Sequence, residues 1–160
     1  MSRFLQLFML CVVCLGMIPT ASASWGAFVS TGTATGIGNP SCALVTSGHV
    51  VCAVRTGKAA MMVDELNGSA WNGWKTLAMT TNSDPSCASD GGGKVICAAT
   101  ATSGNLQVSI FNGTTWSPPA TVTASLFSGP SCAQSILGEV LCAARNSKGG
   151  IAWSLSDYDH

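Results

Sequence analysis

The chain has 160 residues, of which only 9% are charged, and seven Lys and Arg residues balance seven Asp and Glu residues. This sparse, neutral charge set offers no basic patch to neutralise phosphates, which argues against a nucleic-acid partner. A chain this poor in charge and rich in Gly, Ser, Thr and Ala is typical of an extracellular all-β protein.

Residues 1–23 have the pattern of a secretory signal peptide. Arg3 gives a short basic start, Phe4–Ile18 is apolar, and Ala21–Ala23 offers small residues for cleavage after Ala23. The apolar run is too short to span a membrane comfortably, and no basic stop-transfer cluster follows it. We therefore predict that residues 24–160 are secreted to the extracellular space or the periplasm. Six cysteines remain in this part, which suits an oxidising compartment.

The mature chain consists of short β-rich segments separated by Gly, Asn, Ser and Pro, and no segment keeps a helical period for three turns. We predict an all-β fold. The predicted strands are Ser41–Leu44, His49–Arg55, Ala60–Leu66, Trp74–Met79, Ser86–Ser89, Lys94–Thr100, Leu106–Phe111, Ala120–Ala124, Ser131–Gln134, Glu139–Arg145 and Gly150–Ser156.

The same features recur every 45 residues. Equivalent positions are Pro40, Pro85 and Pro130, then Cys42, Cys87 and Cys132, then Cys52, Cys97 and Cys142, and finally Trp71 and Trp116. A fixed period of this size points to propellers, solenoids or pseudo-symmetric barrels. We predict one domain at 24–160, with repeats at about 40–84, 85–129 and 130–160.

The third repeat lacks a fourth strand, and the mature N-terminus offers one. Trp25–Thr31 precedes Pro40 much as Trp71 precedes Pro85. We predict that this segment pairs with Gly150–Ser156, so that residues 24–39 complete the third repeat. A strand from one terminus that completes the unit of the other is how closed propellers avoid free edges.

The cysteine positions predict three disulfides, because facing residues of an antiparallel hairpin have a constant sum of positions. Each pair centres on a glycine-containing turn, and its two members face across that hairpin. The predicted pairs are Cys42–Cys52, Cys87–Cys97 and Cys132–Cys142. A metal site is the weaker alternative, since the sequence has no CxxC motif.

All three repeats resemble those of secreted β-propeller lectins that bind fucose and related sugars, and the first repeat resembles them most. The resemblance rests on Pro40–Cys42, a glycine turn, Val51–Arg55 and Asn67–Leu77. It implies a β-propeller of four-stranded blades and a secreted, non-catalytic carbohydrate-binding module. Family propellers have six or seven blades, so three repeats imply a six-bladed homodimer or a fragment of a longer propeller. A β-trefoil is the alternative fold, and it would be a monomer because its three repeats already close.

Four residues are candidates for binding a neutral sugar. Arg55 and Arg145 share one repeat position, and an arginine fork can hold two sugar hydroxyls. Trp74 and Trp153 have no equivalents in other repeats, so repeated packing does not explain them, and an indole can stack on a sugar. Trp71 and Trp116 do repeat, which indicates packing between blades.

The sequence offers no catalytic constellation, cofactor motif or metal site. Asp64 and Glu65 are adjacent, so on a strand they point to opposite faces and make a poor carboxylate pair. We therefore predict that the protein is not an enzyme. The alternative to sugar binding is a disulfide-stabilised extracellular scaffold or protein-interaction module.

Overall fold

The computed structural model describes residues 35–156, which contain twelve β-strands and no helix. In chain order the strands are β1 Gly36–Thr46, β2 His49–Thr56, β3 Ala60–Asn67, β4 Ala70–Trp71, β5 Lys75–Thr80, β6 Ser86–Ser89, β7 Val95–Thr100, β8 Leu106–Phe111, β9 Ala120–Val122, β10 Ser131–Gln134, β11 Val140–Arg145 and β12 Ile151–Leu155. The predicted signal peptide and the Trp25–Thr31 strand lie outside the described residues.

The strands form three antiparallel sheets that share no strand. The first sheet runs β1-β2-β3, with β4 and β5 both paired to β3. The second sheet runs β6-β7-β8-β9, and the third runs β10-β11-β12. Strand β6 contacts both β1 and β10, so each sheet contacts the next one through its first strand. No barrel closes among the described strands, and this separates the arrangement from a trefoil.

Two turns, at residues 67–70 and 112–115, are formed by the Asn-Gly pairs. Asn67 faces Ala70 across a two-residue turn in which Gly68 has a φ of 64°. Asn112 closes the same kind of turn, since its N–H donates to the Thr115 carbonyl at 3.1 Å. A positive φ at the first turn position costs glycine little, and it matches the twist of the flanking strands.

All three predicted disulfides are confirmed. In each sheet the two cysteines face each other across the first hairpin, with Cα atoms 4.0–4.1 Å apart. The separation is short because facing residues that do not exchange backbone hydrogen bonds are the closer pairs of an antiparallel ladder. Consequently, the backbone N–H of the first cysteine points away from its hairpin partner.

That N–H is used to join one sheet to the next. Cys87 donates its N–H to the Ser41 hydroxyl oxygen at 2.9 Å, and Cys132 donates to the Ser86 hydroxyl oxygen at 2.9 Å. The serine of one Pro-Ser-Cys motif therefore accepts a hydrogen bond from the cysteine of the next. We call this contact the Ser–Cys link.

Each sheet has a forward face, toward the sheet that follows in sequence, and a backward face. The forward face of the first sheet packs on the backward face of the second, around Val51, Met61, Val95 and the fully buried Phe111. The forward face of the second sheet packs on the third, around Ile96, Ala98, Leu106, Val140 and Cys142. Burying one such large apolar side chain contributes about 1.5–3 kcal/mol, so these two layers hold the sheets together.

Candidate ligand site

Three segments of the chain meet at a cleft of about 540 Å³. They are the part of β1 at Asn39, the connection before β6, and the connection before β10. Arg55, the last but one residue of β2, also lines this cleft. Its lining residues are Asn39, Arg55, Asn82, Ser83, Asp84, Pro85, Phe127, Ser128, Gly129 and Pro130.

Arg55 is held in this cleft by Asp84. The Arg55 Nε lies 3.5 Å from Asp84 Oδ1, and Asp84 Oδ2 accepts the Asn39 N–H at 3.0 Å. Both side chains remain partly exposed. Within the described residues the two terminal nitrogens of the guanidinium make no hydrogen bond, so their N–H groups can serve a ligand.

Phe127 gives the cleft an exposed aromatic ring. Its side chain is 70% exposed, although it is a large apolar residue. The Arg145 guanidinium carbon lies 4.9 Å from the ring centroid, and the Phe127 N–H donates to the Arg145 carbonyl at 2.8 Å. A cation at this distance is attracted to the face of the ring. Arg145 therefore reaches the cleft through Phe127, whereas Arg55 lines it directly.

The two candidate tryptophans lie elsewhere. Trp74 is half-buried, and its indole nitrogen is buried with no hydrogen-bond partner among the described residues. Trp153 is 68% exposed on β12, and it lines a separate cleft of about 460 Å³ together with Leu106 and Val122. The structure thus brings Arg55 and Arg145 to one region and places Trp74 and Trp153 outside that cleft.

Trp116 has the packing role that its repeat position suggested. Its ring centroid lies 5.3 Å from that of Phe111, and the His49 ring contacts Phe111 edge-on with 5.6 Å between centroids. Phe111 belongs to the second sheet and His49 to the first, so this aromatic group spans the two sheets.

Phe127 was missed by the sequence analysis. Its equivalents at the 45-residue spacing are Ile37 and Asn82, so the aromatic ring is unique to one repeat. The same argument singled out Trp74 and Trp153. It was not applied here because Phe127 lies in a connection and not on a predicted strand.

The acidic pair is structural. Asp64 Oδ1 accepts the Gly73 N–H at 2.9 Å, whereas Glu65 lies 3.7 Å from Lys75 Nζ and 4.0 Å from His49 Nε2. The two carboxylates therefore serve different partners, as expected for neighbours on a strand. In the part of the chain that the structure describes, no three His, Cys, Asp or Glu residues group to hold a metal ion.

None of the described residues forms a helix that is long and apolar enough to cross a membrane.

Comparisons with known proteins give a structural likeness. Neither a protein-family model nor a curated protein matches the sequence. Among solved structures, the chain is similar to a fucose lectin from Kordia zhangzhouensis in complex with methyl-fucoside, with a TM-score of 0.51 and 15% identity. The match covers 75% of this chain and 99% of the lectin. At 15% identity the likeness concerns the fold alone, and it agrees with the three separate antiparallel sheets. The protein has an all-β, propeller-like fold.

Proposed function

We propose that this protein is a secreted, non-catalytic carbohydrate-binding module that holds a neutral sugar, of the fucose type, in the cleft at Arg55 and Phe127. The observation that carries the proposal is one cleft that holds an exposed aromatic ring and a guanidinium whose terminal N–H groups bond to none of residues 35–156.

A sugar ring presents hydroxyl groups at its edge and C–H groups on its faces. The Arg55 fork suits the hydroxyls as a donor, and the exposed amide side chain of Asn82 can both donate and accept hydrogen bonds. The ring of Phe127 suits the C–H face. A deoxy sugar such as fucose carries a methyl group in addition, which strengthens the contact with an aromatic ring. The structural likeness to a lectin that holds methyl-fucoside supports the same choice.

The binding test is calorimetry with methyl-fucoside, methyl-mannoside and methyl-galactoside on the oxidised protein. We expect Arg55→Ala and Phe127→Ala each to weaken binding by about tenfold or more, as for loss of a charged hydrogen-bond donor or an aromatic anchor. Lys148→Ala and Leu137→Ala are matched controls outside the cleft, and they should bind like the parent. Trp74→Ala and Trp153→Ala test the two sequence-based stacking candidates. The absence of heat with every sugar would contradict the proposal.

The second candidate function is a disulfide-stabilised scaffold that binds protein or assembles with itself. The observation that favours it is the engagement of Arg55 by Asp84, which already gives the arginine a partner. A glycan array separates the two functions, because a scaffold would leave the array empty.

Secretion is a further part of the proposal. Three disulfides are consistent with an oxidising compartment. N-terminal sequencing of protein from a secreting host should give Ser24 as the first residue. Retention of Arg3 in the exported protein would contradict this cleavage. We also expect two chains to associate.

A further inference from the structure

The forward face of the third sheet is apolar and open. Residues that face each other on β11 and β12 place Leu141 with Leu155, Ala143 with Trp153, and Arg145 with Ile151. Val140 and Cys142 point to the opposite face, where they pack on the second sheet. Ile151 is 72% exposed and Trp153 is 68% exposed. Soluble proteins rarely leave such contiguous apolar patches uncovered unless a partner binds there.

Residues at the same positions in the other two sheets are buried. The equivalents of Ile151 are Met61 and Leu106, and the equivalents of Leu141 are Val51 and Ile96. All four are buried under the next sheet. The open face is therefore the third copy of a surface that elsewhere in this chain receives the backward face of another sheet.

The matching backward face of the first sheet is open near the β1–β2 hairpin, although Cys52 and Val54 on the same face are buried. Cys42 and Leu44 are exposed there, whereas Cys87, the equivalent of Cys42, is buried in the second sheet. Val50 is half-exposed, whereas Val95 and Val140 at the same position are buried.

Among residues 35–156, one serine and one cysteine of the Pro-Ser-Cys motifs lack their Ser–Cys link. The serine is on the forward face of the third sheet, and the cysteine is on the first sheet. Ser131 is exposed, and no described cysteine donates to its hydroxyl oxygen. Within residues 35–156, Cys42 likewise has no serine hydroxyl that accepts its N–H. An acceptor on the third sheet and a donor on the first are the two ends of the same contact.

The glycines at the hairpin turns show the same order of sheets, since Gly93 and Gly138 each lie close to the sheet that precedes their own. A Cβ placed on Gly93 would lie 4.0 Å from Thr46 Cγ2 of the preceding sheet, and one on Gly138 would lie 3.3 Å from the Asp90 carbonyl oxygen. Gly48, at the same position in the first sheet, has nothing within 4 Å. At the other end of the series, Ile136 at the tip of the third sheet is fully exposed.

We propose that the forward face of the third sheet binds the backward face of the first sheet of a second copy of this chain, with the Cys42 N–H of the partner donating to the Ser131 hydroxyl. The Trp25–Thr31 segment of the same chain is the weaker occupant, because it contains no cysteine of the Pro-Ser-Cys type to complete the link. Each copy has one forward and one backward face to offer, so two copies satisfy both faces of each other and the assembly closes with two-fold symmetry. The inference does not rest on sugar binding.

The test is light scattering on oxidised protein produced from the full sequence in a secreting host. We expect twice the chain mass, maintained on roughly hundredfold dilution. Trp153→Lys and Ile151→Lys on one face, and Leu44→Glu on the other, should each weaken association by about 100-fold or more, since they place a charge at an apolar contact. Thr121→Lys, on the exposed outer strand of the second sheet, is the matched control and should keep the mass of the parent.

Thermal unfolding and a disulfide map show whether each variant is folded. The substituted side chains are largely exposed in the single chain, so folding should survive. A parent protein that is monomeric at every concentration would overturn the proposal. A dimer that is unaffected by both Trp153→Lys and Leu44→Glu, or an open series of higher masses, would overturn it as well.

Discussion

The second and third sheets are built alike but are covered differently. In both, a strand that starts with Ser-Cys forms a disulfide-linked hairpin with the next strand, and a third antiparallel strand follows. Ile96 and Leu141 occupy the same position 45 residues apart, yet Ile96 is 4% exposed and Leu141 is 37% exposed. The hairpin and its disulfide are therefore sufficient to form a sheet here, whereas burial depends on a neighbour. Four pairs of variants test this distinction by denaturant unfolding of oxidised protein at concentrations where the chain is monomeric.

Phe111→Ala should have the largest effect, because Phe111 is fully buried between two sheets and contacts His49 and Trp116. We expect the free energy of unfolding to fall by about 3–5 kcal/mol. Leu155→Ala, on the open face of the third sheet, should cost less than about 1 kcal/mol. Equal losses for the two variants would mean that the third sheet is covered as fully as the second.

Ile96→Ala and Leu141→Ala compare one repeat position directly. Ile96→Ala should lower the free energy of unfolding by about 2–4 kcal/mol, because truncation of this buried side chain leaves a cavity under the third sheet. The partly exposed Leu141 should cost about 1 kcal/mol or less. The ranking would be contradicted if Leu141→Ala were the more destabilising of the two.

Replacing either hairpin disulfide by two alanines should lower the free energy of unfolding by about 2–3 kcal/mol, since both close loops of equal length. The sequence separation is 10 in each case. The Cys87–Cys97 replacement should cost somewhat more, because Cys97 is fully buried and its loss also removes packing. A clearly larger effect at Cys132–Cys142 would indicate that the third sheet depends on its disulfide in a way that the second does not.

Ser86→Ala and Ser131→Ala should show the smallest difference. Ser86 accepts the Cys132 N–H, so its loss should cost about 1 kcal/mol. Ser131 accepts no such bond within the described residues, and its loss should leave the monomer within about 0.5 kcal/mol of the parent. In the light-scattering experiment the order should reverse, with Ser131→Ala weakening association. A stable dimer with unchanged affinity would argue against the Ser131 contact.

Most of the fold could be predicted because its signals are local. The strands at Ser86–Ser89, Leu106–Phe111 and Ser131–Gln134 agree with the prediction residue by residue, since turn residues mark both of their ends. The disulfides could be predicted because a hairpin fixes which positions face each other. The early start of β1 at Gly36 was missed, since a register shift separates Ile37 from Ser41 and hides the alternation.

The candidate site was harder to predict because it is assembled from distant segments. Arg55 meets Asp84 across 29 residues, and Phe127 reaches the same cleft from a third connection. No periodicity in the sequence reports which connections converge. The exposure of apolar residues could not be predicted either. Trp153 is a large apolar residue on a strand, which is typical of a buried position, yet it is 68% exposed in the structure.

The Ser–Cys link also gives the chain an order of assembly. In both links the acceptor serine precedes the donor cysteine by 46 residues, so each sheet attaches to one that was synthesised earlier. Each disulfide spans only 10 residues and can close as soon as its own hairpin exists. A growing chain can therefore finish one sheet, present its serine, and use it as the docking point for the next. The three described sheets can therefore form and dock in the order of the chain, from the first to the third.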